Sequence, residues 1–359
     1  MTSPYAAVPA AVVEDDVLQH VGSPLREQRQ LEEGVALAPL ADRTVLVIEG
    51  EDRLSWLDSL SSQALTGLAP GVSTEFLILD PQGHVEHAAS IVDDGARTWL
   101  IVDREDAGAL LAWLQRMRFR LRVDPRDVSA DYAVIGGAGR AVEALDAAAV
   151  WRDPWPHVGA GGWGYSPVDP HPGAVRDWSE AIVTRAEDER VAASAVRGEI
   201  AVAGVLAAEA LRVAAWRPRV RAEADGRTLP HEADWLRTAV HLTKGCYRGQ
   251  ETVAKVHNLG HPPRRLVALQ LDGSGAQLPE PGAEVRVGGE VVGAVTSVAR
   301  HYEEGPIALA FVKRTTPVDA DLTVAVGEGE VAAAQELIVP PDAGRTASIP
   351  RMPRLSRRR

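Results

Sequence analysis

Beyond Pro262-Pro263 the chain reads as short strands and glycine turns with almost no helix. That limits what this part can become. Leu266 to Leu271 alternates, Val285-Arg286-Val287 and Glu290 to Val295 flank Gly288-Gly289 as a hairpin, and Ile307 to Val312 and Leu322 to Val326 are further strands. Strands this short bury their apolar sides by packing as a small barrel or sandwich, here over residues 264–339.

Upstream, strands and helices alternate. Arg43 to Gly50 reads as a buried strand and Glu51 to Leu60 as a helix, with Leu54, Leu57 and Leu60 as its stripe. Thr74 to Leu79 and His84 to Val92 flank a Pro/Gly turn and predict a hairpin. Arg104 to Phe119 predicts an amphipathic helix. Leu121 to Val123 and Tyr132 to Ile135 predict strands, Arg140 to Val150 a helix, and Glu199 to Ala215 another. The segment 151–177 is rich in Pro, Gly and Trp and predicts loop packed on core. Hairpins mixed with helices indicate an α+β fold with largely antiparallel sheets. Residues 1–21 lack a clear period and are expected to be a flexible arm, and 340–359 a disordered basic tail.

The length of 359 residues suits two or three domains, and 45% hydrophobic with 25% charged residues suits a globular chain. A single cysteine excludes an internal disulfide framework and fits a reducing cytoplasm. No run of about 18 apolar residues predicts a membrane span. Net charge is -12, yet the last nineteen residues carry six arginines and one aspartate. The rest is therefore strongly acidic, which argues against direct nucleic-acid binding.

The stretch Lys244-Gly245-Cys246-Tyr247-Arg248-Gly249-Gln250-Glu251 holds that cysteine and one of only three lysines. Gly245 and Gly249 permit tight turns. Gln250 and Glu251 open a helix predicted to end at Gly260. Cys246 would then precede a helix N-terminus, where the dipole and the Lys244 ammonium favour a thiolate. The alternative is that Cys246 is a small buried hydrophobe. A metal site of Cys246 with His257 and His261, with His241 as a further candidate, is the weaker reading, since Gly260 ends the helix before His261; solvated histidines are expected.

This octapeptide resembles the signature of the YgfZ family, relatives of the glycine-cleavage aminomethyltransferase (T-protein), whose pattern is K-G-C-[FY]-x-G-Q-E. Val47 to Asp52 with Trp56-Leu57, Leu79 to Gly83, Leu229-Pro230-His231-Glu232, Gly293 to Ser297 and Ile307 to Ala310 resemble further family stretches. The resemblance implies a three-domain ring. Two interleaved α+β domains would fill residues 22–263, the inner one spanning about 51–135, with the barrel third. It also implies tetrahydrofolate or a derivative in a central hole. Glu232, Trp216, Arg219 and Tyr247 are then the expected folate contacts, and Cys246, Lys244, Gln250 and Glu251 the expected working residues. The implied role is support of iron–sulfur cluster assembly or repair in client proteins, in one bacterial branch linked to tRNA thiolation, by a cytoplasmic monomer.

Two departures bear on chemistry. The T-protein's catalytic aspartate falls after the hairpin glycine, where this chain has Gly83-His84-Val85-Glu86-His87, so only Glu86 is available to replace it. Folate-contacting tryptophans of the family correspond to Arg43 and Ala208. The second reading, a tetrahydrofolate-dependent one-carbon transferase, needs a correctly placed carboxylate.

Overall fold

The computed structural model describes residues 3–274 and 277–347. The expected arm is an ordered hairpin of β1 (Ala11–Glu14) and β2 (Val17–Val21). Asp15 and Asp16 at its tip both have positive φ, 47° and 67°. This is the two-residue turn that suits the strand twist, here without the usual Asn-Gly signal. Tyr5, Val8 and Leu18 are buried, and a Cβ on Gly204 would stand 2.0 Å from the Gln19 carbonyl. These contacts leave no freedom for an arm.

After α1 (Pro24–Glu32) and β3 (Ala36–Pro39) the chain leaves for an inner unit. It makes β4 (Arg43–Glu49), α2 (Arg53–Leu60), β5 (Ser73–Leu79), β6 (Val85–Asp93), β7 (Arg97–Asp103), α3 (Arg104–Arg116) and β8 (Asp124–Asp127). These strands form one antiparallel sheet in the order β5-β6-β7-β4-β8. The chain returns at β9 (Tyr132–Gly137), followed by α4 (Gly139–Val142), β10 (Ala147–Arg152), β11 (Ser179–Thr184), α5 (Arg185–Val196), β12 (Ala201–Val202) and α6 (Val205–Ala214). The second sheet runs β10-β11-β9-β3-β12, with β12 parallel to β3. The two units are thus interleaved, and the insertion spans 43–127 rather than 51–135, because β4 joins the inner sheet and β9 the outer.

Other expectations are corrected locally. The helix expected over 140–150 stops at Val142, and 147–152 is the edge strand β10, its backbone held by β11. The helix expected from Glu199 begins only at Val205, since Gly204 caps it and 201–202 pairs with β3. The inner strand lies at 124–127, not 121–123. In α2, Trp56 and Leu57 are the buried residues, not a leucine stripe. The tryptophan-rich segment packs inward as expected at Trp151 and Trp155, while Trp163 is 44% exposed.

A short helix α7 (Val220–Glu223) and α8 (Gln250–Leu259) lead to a closed barrel. Its strands are β13 (Arg264–Leu271), β14 (Glu284–Val287), β15 (Glu290–His301), β16 (Gly305–Lys313), β17 (Leu322–Val326) and β18 (Gly329–Leu337). On β13, Val267, Leu269 and Leu271 point into the barrel core, while Leu266 packs outward with Trp235 and Val240. Of the expected tail, Arg345 and Thr346 donate to the last carbonyls of α8; residues 348–359 lie outside the described residues. No helix among the described residues is long and apolar enough to cross a membrane.

Candidate functional site

The signature loop is strapped to the inner unit at three points. Lys244 is the first. Its side chain is 2% exposed, and its Nζ donates to the carbonyls of Ser61 (2.8 Å), Gln63 (2.7 Å) and Asp58, with the Asp58 carboxylate at 3.5 Å. Burial pushes this ammonium below the usual lysine range, against the Asp58 charge. Its three donors are all committed, so Lys244 holds the 58–63 turn rather than serving the thiol.

Gly249 is the second point. Its φ is +82°, and a Cβ there would lie 2.6 Å from the Asp80 carbonyl and 2.9 Å from the Gly83 Cα. Gly83, also left-handed, faces Thr252 at the same contact. The two glycines let the loop seat on the hairpin turn. Gly249→Ala should therefore cost about 2 kcal/mol or more, combining left-handed strain with the clash. A urea midpoint equal to wild type would contradict this.

The third point is Arg248, whose Nη1 donates to Glu86 at 2.6 Å. Glu86, the one carboxylate available to replace the T-protein aspartate, is thereby paired. Gln250 Nε2 donates to the Lys244 carbonyl at 3.3 Å, closing the loop, and Glu251 is exposed in the first turn of α8. Tyr247 is buried, its ring 5.4 Å from Lys244 Nζ, and it shares an apolar core with Trp216 and Trp235. Tyr247 is thus packing. Cys246 is exposed, so the buried-hydrophobe alternative fails. It stands three residues ahead of the Gly249 cap, outside the first turn where a helix dipole acts.

The expected folate contacts are each engaged within the protein. Glu232 is fully buried and saturated: Oε2 accepts from the Leu229 amide and Arg264 Nη2, both at 3.0 Å, and Oε1 from the Arg264 amide and Nε at 3.1 Å. It ties the 229–233 turn to the barrel. Trp216 is buried with φ +57°, edge-on to His171 at 5.5 Å. Arg219 donates to Asp42 (2.6 Å), Asp103 (2.7 Å) and Glu209 (3.1 Å).

Arg219 belongs to a cluster that spacing in the sequence could not reveal. Arg43 pairs with Asp103. Arg217 bridges Glu75 (2.6 Å) and Asp153 (3.3 Å), which also holds Arg176. Arg212 joins Glu209, Glu223 and Ser297 Oγ, and Ser297 in turn donates to Glu223 at 2.6 Å. The cluster thus links both sheets, α6 and the barrel. Burial raises Glu209, but Arg212, Arg219 and Arg43 outweigh it and bring it to about 2.

Two small cavities remain among these groups, about 90 and about 30 Å³. Small-molecule sites typically need about 300–1,000 Å³. A cavity of about 660 Å³ opens on the far side of Arg43, bounded by Leu40, Thr44, Arg104 and Asp127. A roomier, open groove of about 790 Å³ lies outside this arrangement, lined by Glu86, His87, Asp106, Trp113 and Val220. His87 Nδ1 and Asp106 are 2.6 Å apart there.

His257 is buried, not solvated, with Nδ1 3.4 Å from the Tyr165 hydroxyl, and His261 Nδ1 lies 2.9 Å from the Ala343 carbonyl. No group of three His, Cys, Asp or Glu side chains among the described residues is placed to hold a metal ion. Nearby, Asp234 is sealed, and burial pushes it up to about 7 although the Tyr165 amide donates to it.

The scaffold carrying these groups has known counterparts. Over 96% of this chain and 99% of the other, it superposes on glycine cleavage system aminomethyltransferase T from Bartonella henselae, with a TM-score of 0.72 and 16% identity. The fold is that of aminomethyltransferase T. Residues 264–340 match the family model for the glycine cleavage T-protein C-terminal barrel domain. The chain is 35% identical over 112 residues to the aminomethyltransferase of Streptomyces avermitilis, covering 30% of each chain. It is 33% identical over 126 residues to a chloroplastic protein of Arabidopsis thaliana named for an inferred transferase activity, covering 35% of this chain and 28% of that one. Both alignments span less than a third of the relative's length.

Proposed function

We propose that this protein is a YgfZ-type folate-binding accessory factor that supports iron–sulfur client proteins through Cys246, on an aminomethyltransferase scaffold. One observation carries the reading: the sole thiol of the chain is exposed on a loop held at three points, by Lys244, Arg248 and Gly249. Pre-positioning removes the entropy of ordering a reactive group at each encounter. An exposed cysteine sulfur is open to a metal ion or to an electrophile on a client protein. The eight-residue motif supports the class of client. A link to tRNA thiolation would follow through cluster-dependent enzymes, not through contact with RNA.

Cys246→Ser should leave the melting temperature within about 1 °C, because an exposed Sγ-to-Oγ change removes no packing. Iron–sulfur enzyme activity should fall severalfold in cells relying on the variant. Wild-type activity in those cells would sink the proposal.

The second reading, a tetrahydrofolate-dependent aminomethyl transferase, draws support from the Streptomyces relative and from the groove beside Glu86. Against it stands the Arg248–Glu86 pair, which engages the carboxylate that chemistry would need. Formation of methylene-tetrahydrofolate by the purified protein would favour this reading over the first.

A further inference from the structure

The inward face of the barrel is apolar except at one end. Along β13, inward positions alternate, and the residue two before Val267 is Arg265. It is wholly sealed from solvent. Its Nη2 donates to the Thr316 carbonyl (3.0 Å) and to Gln335 Oε1 (2.9 Å). Its Nη1 and Nε have no acceptor among the described residues, and neither has the buried Thr316 hydroxyl a partner.

The contrast with the other buried arginines is informative. Arg212 and Arg217 each bond carboxylates, and Arg237 lies near the charge of Asp234. Arg265 has no carboxylate within ion-pair distance among the described residues. Only burial acts on it. A guanidinium does not shed its proton in a protein, so its charge persists. Buried charges are tolerated when paired, and water satisfies a donor without supplying a counter-charge.

We propose that the barrel end formed by Arg265 and Thr316 binds a small monovalent inorganic anion of chloride's size. The guanidinium charge is delocalised, so an anion on either free nitrogen neutralises it, and the Thr316 hydroxyl supplies a further donor.

Replacing chloride by gluconate at constant ionic strength should lower the melting temperature of the full chain by about 4 °C, as expected for losing a ligand at roughly a hundred times its dissociation constant. Arg265→Met, which keeps length and packing, should show no such shift. Equal shifts in both proteins, or none in wild type, would overturn the proposal. Crystals of the wild-type chain grown in bromide decide it without any variant. An anomalous peak beside Arg265 is expected, and clean density lacking one would overturn it equally.

Discussion

Arg219→Met should lower the unfolding free energy by about 4 kcal/mol, the range for removing one partner from a buried ion cluster. Methionine matches the aliphatic stem but leaves three carboxylates without their shared cation. Asp42 and Asp103 are raised by burial yet held below the usual carboxylate range by Arg43 and Arg219. Groups held down this way contribute stability above about pH 4, and it is lost as pH falls through their lower native values. In the variant, these carboxyls protonate more readily in the native state. The deficit against wild type should therefore be largest at pH 7 and shrink as pH approaches 4. Urea unfolding at both pH values tests this. A deficit that is small, or that grows on acidification, would show the cluster does not hold the units together.

Lys244→Met comes next, at about 3 kcal/mol. The ammonium satisfies three backbone carbonyls in the 58–63 turn, and stranding buried acceptors costs roughly 1–3 kcal/mol each, partly offset by no longer burying a charge. Lys244→Arg should fail as well, since a planar fork does not fit three carbonyls arranged around one nitrogen. Hydrogen exchange of the 58–63 amides should accelerate in both. An arginine variant as stable as wild type would restore the view that charge alone matters at this position.

Much of the architecture was legible in the chain. The barrel followed from short strands and glycine turns after Pro263, and the hairpin from 74–92 through its Pro/Gly turn. Alternation and turn chemistry are local, so one strand's residues suffice to reveal them. The failures were also local in cause. Ala147 to Val150 suits a helix until β11 offers it an edge, and Glu199 to Ala203 until β3 does. The N-terminal hairpin was hidden because Asp15-Asp16 performs a turn usually written with glycine.

The candidate site divides along the same line. Sequence alone determined that one thiol sits in a dense glycine-flanked motif ahead of a helix, because those residues adjoin in the chain. Only the tertiary structure decided what the neighbours do. Lys244 reaches carbonyls some 180 residues away, Glu232 is consumed by Arg264, and Arg219 meets Asp42 at a separation of 177. Long side chains choose partners by proximity after folding, and no spacing rule records that choice. Exposure of Cys246 is an outcome of packing, which a linear string does not contain.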